Sequence, residues 1–124
     1  MTSPNILLIT IDCLRADILG CYAGPAHSPH INQLASRGVR YTQAFAHASF
    51  TKTTFPTIFS GTYPAEHGGA AAFDATRPSL VEELAQQGYQ TLGVNSNPWL
   101  SRQFGFHRGY ARYADLSSVT PMAH

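Results

Sequence analysis

The sequence predicts an α/β fold with a short, mainly parallel sheet. Apolar runs typical of buried strands alternate along the chain with amphipathic segments that carry helix cap signals. The chain has 124 residues, of which 44% are hydrophobic and 12% charged. This size and composition suit one compact domain over residues 1–124 and are too small for a barrel enzyme.

The first half of the chain contains two predicted strands and one helix. Asn5 to Ile11 is a nearly continuous aliphatic run, which is typical of a strand buried on both faces of a parallel sheet. A Ser-Pro pair and a glycine bracket a predicted helix over His30 to Arg37. Val39 to Phe45 alternates imperfectly between apolar and polar residues and suits a second strand.

A long segment, His47 to Arg77, is too rich in Thr, Gly and Ala for an ordinary connection, and its length indicates a functional role. Within it we expect a short helix over Thr54 to Ser60, capped by Thr53 or Thr54. Thr51 would then lie just before the amino terminus of that helix.

The last predicted elements follow this segment. Ser79 and Glu82 have the spacing of a capping box and predict a helix over Leu80 to Gln87. Tyr89 to Val94 is the third strand candidate. Beyond it the chain is expected to be irregular.

Composition excludes several classes of function. The formal net charge is +1 without a basic stripe, so we expect no nucleic-acid partner. The apolar run Ile6 to Ile9 is far shorter than the roughly 20 residues that cross a bilayer, so we expect no membrane association and a cytoplasmic location. Two cysteines are too few for a disulfide framework and are expected to be reduced.

Asp12 is the first candidate site residue. It follows the first predicted strand, at the sheet edge where open α/β folds bind ligands, and a carboxylate there commonly holds a hard cation. The alternative is a structural role, in which Asp12 caps the next turn through Arg15 or a backbone amide.

Thr51 is the second candidate. A hydroxyl at a helix amino terminus faces unpaired amide donors, which favour both an alkoxide and an incoming tetrahedral anion. Lys52, the only lysine in the chain, lies beside it. The alternative is an ordinary capping threonine in a Thr-rich turn.

Four blocks of the sequence carry a resemblance to a known family. They are, in order along the chain, Pro4 to Asp17, Ser28 to Tyr41, Ser60 to Pro64 with His67-Gly68, and Leu80 to Thr91. They resemble blocks that occur in the same order in the sulfatase family, within the alkaline phosphatase superfamily. The second block resembles Thr-Pro-Asn-Leu-Asp-x-Leu-Ala-x-x-Gly-Val-x-Phe, and the third resembles Thr-Gly-Arg-Tyr-Pro followed by His-Gly. The resemblance extends to about Asp115 and implies the amino-terminal part of an alkaline-phosphatase-like α/β/α sandwich.

The resemblance also implies a nucleophile. Sulfatases carry Cys-x-Pro-Ser-Arg, whose cysteine is oxidised to formylglycine, and counting back from Gly61 places Thr51 at that position. Threonine cannot become formylglycine, but the superfamily includes members with a threonine nucleophile. The resemblance therefore implies that Thr51 attacks phosphorus or sulfur. Because Lys52 lies beside Thr51, we expect it to act as a catalytic cation. Water can clear a threonine phosphate in line, so phosphate and phosphonate esters are favoured physically over sulfate esters.

The implied cofactor is one divalent cation. Where sulfatases begin with paired Asp-Asp, this chain has Asp12-Cys13, so only one carboxylate carries over. We expect Asp12 and Thr51 to share the ion. Oxygen ligands favour Ca, Mg or Mn, with Zn also open.

Two further departures affect the substrate site. Phe55 replaces the family's arginine, and Asn95 to Pro98 replaces its Gly-Lys-x-His, which removes two positive groups. Lys52 is a candidate substitute for one of them. We expect Asn97 and His67 to make further contacts to a small phosphate or sulfate ester.

Family catalytic domains are much longer and take further metal ligands from their carboxyl-terminal half. We therefore expect the chain alone to be weakly active or inactive, and to self-associate or bind a complementary carboxyl-terminal chain. A non-catalytic subdomain that binds an anion or a partner is one alternative. Another is a structural zinc module whose spacing matches no common zinc pattern, formed by Cys13, Cys21, His27 and His30.

Overall fold

The computed structural model describes residues 3–117 and groups the chain into two compact units, Met1–Phe45 (unit 1) and Ala46–His124 (unit 2). Helices together with a short parallel sheet confirm the α/β class. The longer elements are α1 (Pro29–Arg37), α2 (Thr51–Ser60), α3 (Pro64–His67), α4 (Leu80–Gln86), β1 (Leu92–Asn95) and β2 (Arg112–Asp115). Short 3-10 helices cover Ala16–Ile18, Gly20–Tyr22, Pro98–Leu100 and Arg102–Phe104.

Unit 1 contains α1, which begins one residue before the predicted helix and ends where predicted. The hydroxyl of Ser28 accepts a hydrogen bond from the Gly20 amide at 3.1 Å and donates one to the Asn32 side chain, also at 3.1 Å. These bonds tie the start of α1 to the preceding 3-10 turn.

The strands predicted over Asn5 to Ile11 and Val39 to Phe45 are wrong, because both segments are irregular. Their apolar side chains are exposed, with Leu7 at 82% and Val39 at 81%. Within residues 3–117 the only strand ladder joins β1 and β2. An apolar run forms a buried strand only when neighbouring strands and covering helices are supplied from elsewhere, which the run itself cannot encode.

Unit 2 contains the sheet. β1 and β2 are parallel, with Leu92 opposite Arg112 and Asn95 opposite Asp115. β1 lies slightly later than the predicted third strand. Prediction missed β2, whose four residues begin and end with charges and carry too short an apolar pattern to signal a strand.

The core of unit 2 is a cluster of phenylalanines. Phe73 and Phe106 are buried and stack with ring centroids 5.4 Å apart. Phe59 of α2 packs on Phe106 at 5.8 Å. Gly105 lets the chain approach Phe73 closely, since its φ is +84° and a Cβ there would lie 2.1 Å from the Phe73 carbonyl oxygen. The cluster anchors one face of α2.

Arg108 clamps the loop after Phe73 onto α4. Its guanidinium binds both carboxylate oxygens of Glu82, with Nε–Oε1 at 3.1 Å and Nη2–Oε2 at 2.5 Å. It also donates to the carbonyl oxygens of Phe73, Asp74 and Arg77. One side chain therefore holds three parts of unit 2 together.

The predicted helix over Leu80 to Gln87 is confirmed as α4 (Leu80–Gln86), and so is its cap at Ser79. The reciprocal half of the capping box is not formed, because the Glu82 carboxylate binds Arg108. The Ser79 hydroxyl accepts from the Glu82 amide at 3.4 Å, and Gly88 follows the helix with a φ of +85°. Across residues 3–117, no helix has the length and apolar character needed to span a bilayer.

Candidate functional site

Helix α2 begins at Thr51, three residues earlier than predicted, and its N-cap residue Phe50 offers no side-chain cap. The amides of Thr53 and Thr54 both donate to the Phe50 carbonyl at 3.0 Å. The caps predicted at Thr53 or Thr54 are wrong, and the Thr54 hydroxyl instead donates to the Ala48 carbonyl at 2.9 Å. Within the described part of the chain, the amides of Thr51 and Lys52 have no acceptor, which leaves partial positive charge at this end of α2.

Lys52 lies in an aromatic cage formed by Trp99 and Phe104. Its Nζ is 4.8 Å from the Trp99 ring centroid and 4.9 Å from that of Phe104. Both distances are within the range of a cation–π interaction. Phe50 packs edge-on against the same Trp99 ring, at 5.8 Å. The residues before and after Thr51 therefore both rest on Trp99.

A hydrogen-bonded network at the carboxyl end of the sheet supports this cage. The Asn95 side chain is buried, donates to the Asn97 carbonyl at 2.9 Å and accepts from the Asn97 amide at 2.8 Å. It also reaches the Asp115 carboxylate at 3.3 Å. The Asn97 side chain in turn accepts from the Trp99 amide at 3.0 Å and caps the 3-10 helix that carries the indole.

Asp115 is held in its charged form within this network. The Ser117 hydroxyl donates to its Oδ1 at 2.5 Å and is the main cause that lowers the pKa of Asp115 below its ordinary value of 3.8. The Ser117 amide and the Asn95 side chain act in the same direction. The network therefore joins an anionic group on β2 to the turn that carries Trp99.

Sequence reasoning identified Thr51 and Lys52 but missed Trp99, Phe104, Asn95 and Asp115 as parts of this arrangement. The only signal was the density of aromatic residues after Val94. It does not reveal that two of those rings meet a lysine near the middle of the chain.

His67 lies in the interior of unit 2. It is buried at the end of α3, and its Nε2 is 2.9 Å from the Thr57 hydroxyl of α2. Its Nδ1 is buried and has no partner among the described residues. The contact ties α3 to α2, and the predicted contact of His67 with substrate stays a prediction.

Phe55, at the position of the family's arginine, belongs to the core. Its ring centroid is 6.5 Å from that of Phe106 and 6.3 Å from that of Phe59. The side chain therefore supports α2 from within, and the position supplies no positive charge.

Asp12 belongs to unit 1, where it is exposed and accepts a hydrogen bond from the Cys13 thiol at 3.7 Å. Thr51 belongs to unit 2, and the shared metal site stays a prediction. Arg15, which the structural alternative named as a partner of Asp12, binds the side chain of Asp17 through two hydrogen bonds, of 2.9 and 2.5 Å.

The described residues do not by themselves complete a metal centre. Among residues 3–117, no three His, Cys, Asp or Glu side chains come together as potential ligands. The four residues of the alternative zinc module, Cys13, Cys21, His27 and His30, are therefore not assembled in this structure.

Comparison with known proteins gives consistent matches. The sulfatase family model matches residues 4–122. Arylsulfatase A of Bos taurus is 33% identical over an alignment of 125 positions, and the match covers 85% of this chain and 24% of that protein. Arylsulfatase H of Homo sapiens is 39% identical over an alignment of 108 positions, and the match covers 86% of this chain and 18% of that protein. Steryl-sulfatase of Rattus norvegicus is 39% identical over 103 positions, and the match covers 71% of this chain and 18% of that protein. The chain thus spans a quarter or less of the length of these relatives. No solved structure matches it.

Proposed function

Because the chain belongs to the sulfatase family, we propose that it carries the nucleophile-bearing part of a metal-dependent hydrolase or transferase of sulfate, phosphate or phosphonate esters. Thr51 is the nucleophile. The observation that carries this assignment is the place of Thr51 at the first position of α2, at a helix end without a side-chain cap.

The end of α2 favours nucleophilic attack by Thr51. The two amides without acceptors and the positive end of the helix dipole stabilise negative charge on the hydroxyl and on the incoming tetrahedral group. Attack forms a bond from the Thr51 oxygen to phosphorus or sulfur as the bond to the ester oxygen breaks, and the hydroxyl proton ends on the departing alcohol. Water then breaks that bond in line and regenerates the hydroxyl. Threonine lacks the second hydroxyl through which formylglycine hydrate eliminates sulfate, which favours phosphate and phosphonate esters.

Lys52 supplies the positive charge that binds the anion. Within residues 3–117 no carboxylate pairs with it, and its contacts are the two aromatic rings. Its charge therefore remains available to a substrate. Asn97, at the base of the cage, and His67 are proposed as further substrate contacts. The bond between His67 Nε2 and the Thr57 hydroxyl also supports α2.

Sulfatases generally depend on a divalent metal, which neutralises charge on the transferred group when it is bound. Asp12 and Thr51 are the ligands that we assign to this chain. Two ligands are fewer than the three protein ligands of a typical catalytic Zn site or the six to eight oxygens around Ca. We therefore propose a cation of the Ca, Mg or Mn type that binds weakly to the 124-residue chain.

Orthovanadate tests the nucleophile, because it adopts the geometry of a phosphoryl group under attack when it binds a hydroxyl. We expect the wild-type chain and Thr51→Ser to bind vanadate. Thr51→Val removes only the hydroxyl and should weaken binding roughly 10-fold or more, the effect of one hydrogen bond to a charged group. Thr53→Val, in the same helical turn, is the matched control and should bind like wild type. Equal binding by Thr51→Val would exclude Thr51 as the nucleophile.

A second candidate function is a subdomain that binds anions without turnover. The uncapped end of α2 favours it, as does the charge of Lys52, which no carboxylate among residues 3–117 pairs with. Neither feature needs a metal to attract phosphate or sulfate. It predicts vanadate and phosphate binding of equal strength in wild type and Thr51→Val.

A further inference from the structure

The only lysine and the only tryptophan of the chain are in contact with each other. Lys52 is half-buried, and its ammonium lies over Trp99, which is itself 39% exposed. The rings of Trp99 and Phe104 are 5.4 Å apart and tilted by 47°. The ammonium therefore contacts two rings that also contact each other.

Lys52 occupies a position that is electrostatically unfavourable for a cation. It is the second residue of α2, where the helix dipole and the two amides without acceptors repel positive charge. A flexible lysine at such a position normally extends into water. Here the two rings hold the ammonium, so an unfavourable charge is kept in place by two specific contacts.

The turn that carries Trp99 is itself fixed. Asn97 caps that turn, Asn95 holds Asn97 through two hydrogen bonds, and Asn95 also contacts Asp115 on the neighbouring strand. The indole is thereby connected to the sheet by hydrogen bonds at each step.

We propose that Trp99 is the positioning residue of the anion site, which together with Phe104 holds the Lys52 ammonium beside Thr51 to bind a tetrahedral sulfuryl or phosphoryl group. This inference rests on the proposed function. The ammonium acts as a point charge with three donors, of which those turned away from the rings bind the anion.

The presence of the cage is tested by NMR of the single lysine. Selective ¹³C-lysine labelling gives one set of ε-methylene signals, which the two rings should move upfield from their position in the denatured chain. Trp99→Leu should remove most of this shift, and Trp99→Phe should keep part of it. Phe45→Leu, an exposed aromatic position in unit 1, should leave it unchanged. A wild-type shift equal to that of the denatured chain overturns the cage.

The role of the cage is tested by titration with inorganic phosphate and sulfate, observed at the Lys52 ε signals and at the Thr51 amide. Trp99→Leu and Lys52→Met should each raise the phosphate Kd roughly 3- to 10-fold, in line with the loss of one cation–π interaction or of one partly exposed charge. The double variant should bind no more weakly than Lys52→Met, because Trp99 acts through Lys52. Trp99→Phe should restore most of the affinity.

The outcomes separate this inference from the proposed function. Phosphate binding by Trp99→Leu that equals wild type, with the fold intact by amide spectra, overturns the positioning role of Trp99. A Thr51 amide that responds to phosphate while the Lys52 signals do not overturns the inference and leaves the Thr51 assignment in place. A third outcome is that the effects of the Lys52 and Trp99 variants on the phosphate Kd are coupled while vanadate binds equally to wild type and Thr51→Val. This outcome supports the cage and rejects Thr51 as the nucleophile.

Discussion

Replacement of Arg108 should lower the stability of unit 2 more than replacement of an exposed arginine would. Its side chain is 14% exposed and that of its partner Glu82 is 36% exposed. Breaking a fully buried ion pair costs about 3–5 kcal/mol, and an exposed one less than about 1 kcal/mol. With one partner mostly buried and the other a third exposed, we expect Arg108→Met to lower the free energy of unfolding by about 2–3 kcal/mol.

Arg108→Lys should cost about 1–2 kcal/mol although it keeps the charge. An ammonium cannot bind both Glu82 oxygens and three carbonyl groups at once, because it lacks the planar fork of the guanidinium. Arg112→Lys, on an exposed position of β2, is the control and should change stability by less than about 0.5 kcal/mol.

The measurement is unfolding by urea or heat, followed by the fluorescence of Trp99, which is the only tryptophan and lies in unit 2. A loss of 2 kcal/mol corresponds to a fall in Tm of about 8–16 °C for a unit of this size. If Arg108→Met unfolds within about 0.5 kcal/mol of wild type, then the clamp does not stabilise the unit and the reasoning is refuted.

Three further predictions concern the helix contact, pH and activity. Thr57→Val should lower the free energy of unfolding by about 1–3 kcal/mol, because it leaves buried His67 without its hydrogen bond, while Thr57→Ser should stay close to wild type in the same urea titration. The lowered pKa of Asp115 contributes stability that is present above its ordinary pKa of 3.8 and is lost as pH falls through the lower folded value. Unfolding measured from pH 7 to pH 2 should therefore depend less on pH in Asp115→Asn, and an unchanged pH profile would contradict the assignment. Finally, the 124-residue chain should show little turnover of nitrophenyl phosphate, phosphonate, phosphodiester or sulfate with Ca, Mg, Mn or Zn. Metal-dependent turnover that Thr51→Ala abolishes would show that two ligands suffice or that a second copy supplies the rest.

The helices could be predicted where their signals were local. Ser79 lies directly before α4 and forms its cap within the same turn, so neighbouring residues determine that boundary. The start of α2 was misplaced because three threonines offered equivalent caps and the structure used none of them. The strand predicted over Asn5 to Ile11 is wrong because strand pairing depends on distant backbone, which the local pattern does not specify.

Part of the candidate site could be predicted from the sequence and part could not. Thr51 emerged from a motif count and from its place beside a helix, both of which are local. The contact of Lys52 with Trp99 and Phe104 joins distant parts of the chain and has no periodicity to reveal it. Phe55 departs from the family pattern, and only the core around its ring explains that departure.

A single caged lysine also makes the chain a substrate with one cleavage point for a protease that cuts only after lysine. The bond after Lys52 lies in the first turn of α2, and the protease must draw the side chain out of the rings and unwind that turn to reach it. The rate at which the chain is cut into two fragments therefore reports how often this end of the helix opens. An anion bound there should slow the cut, and loss of the indole should hasten it.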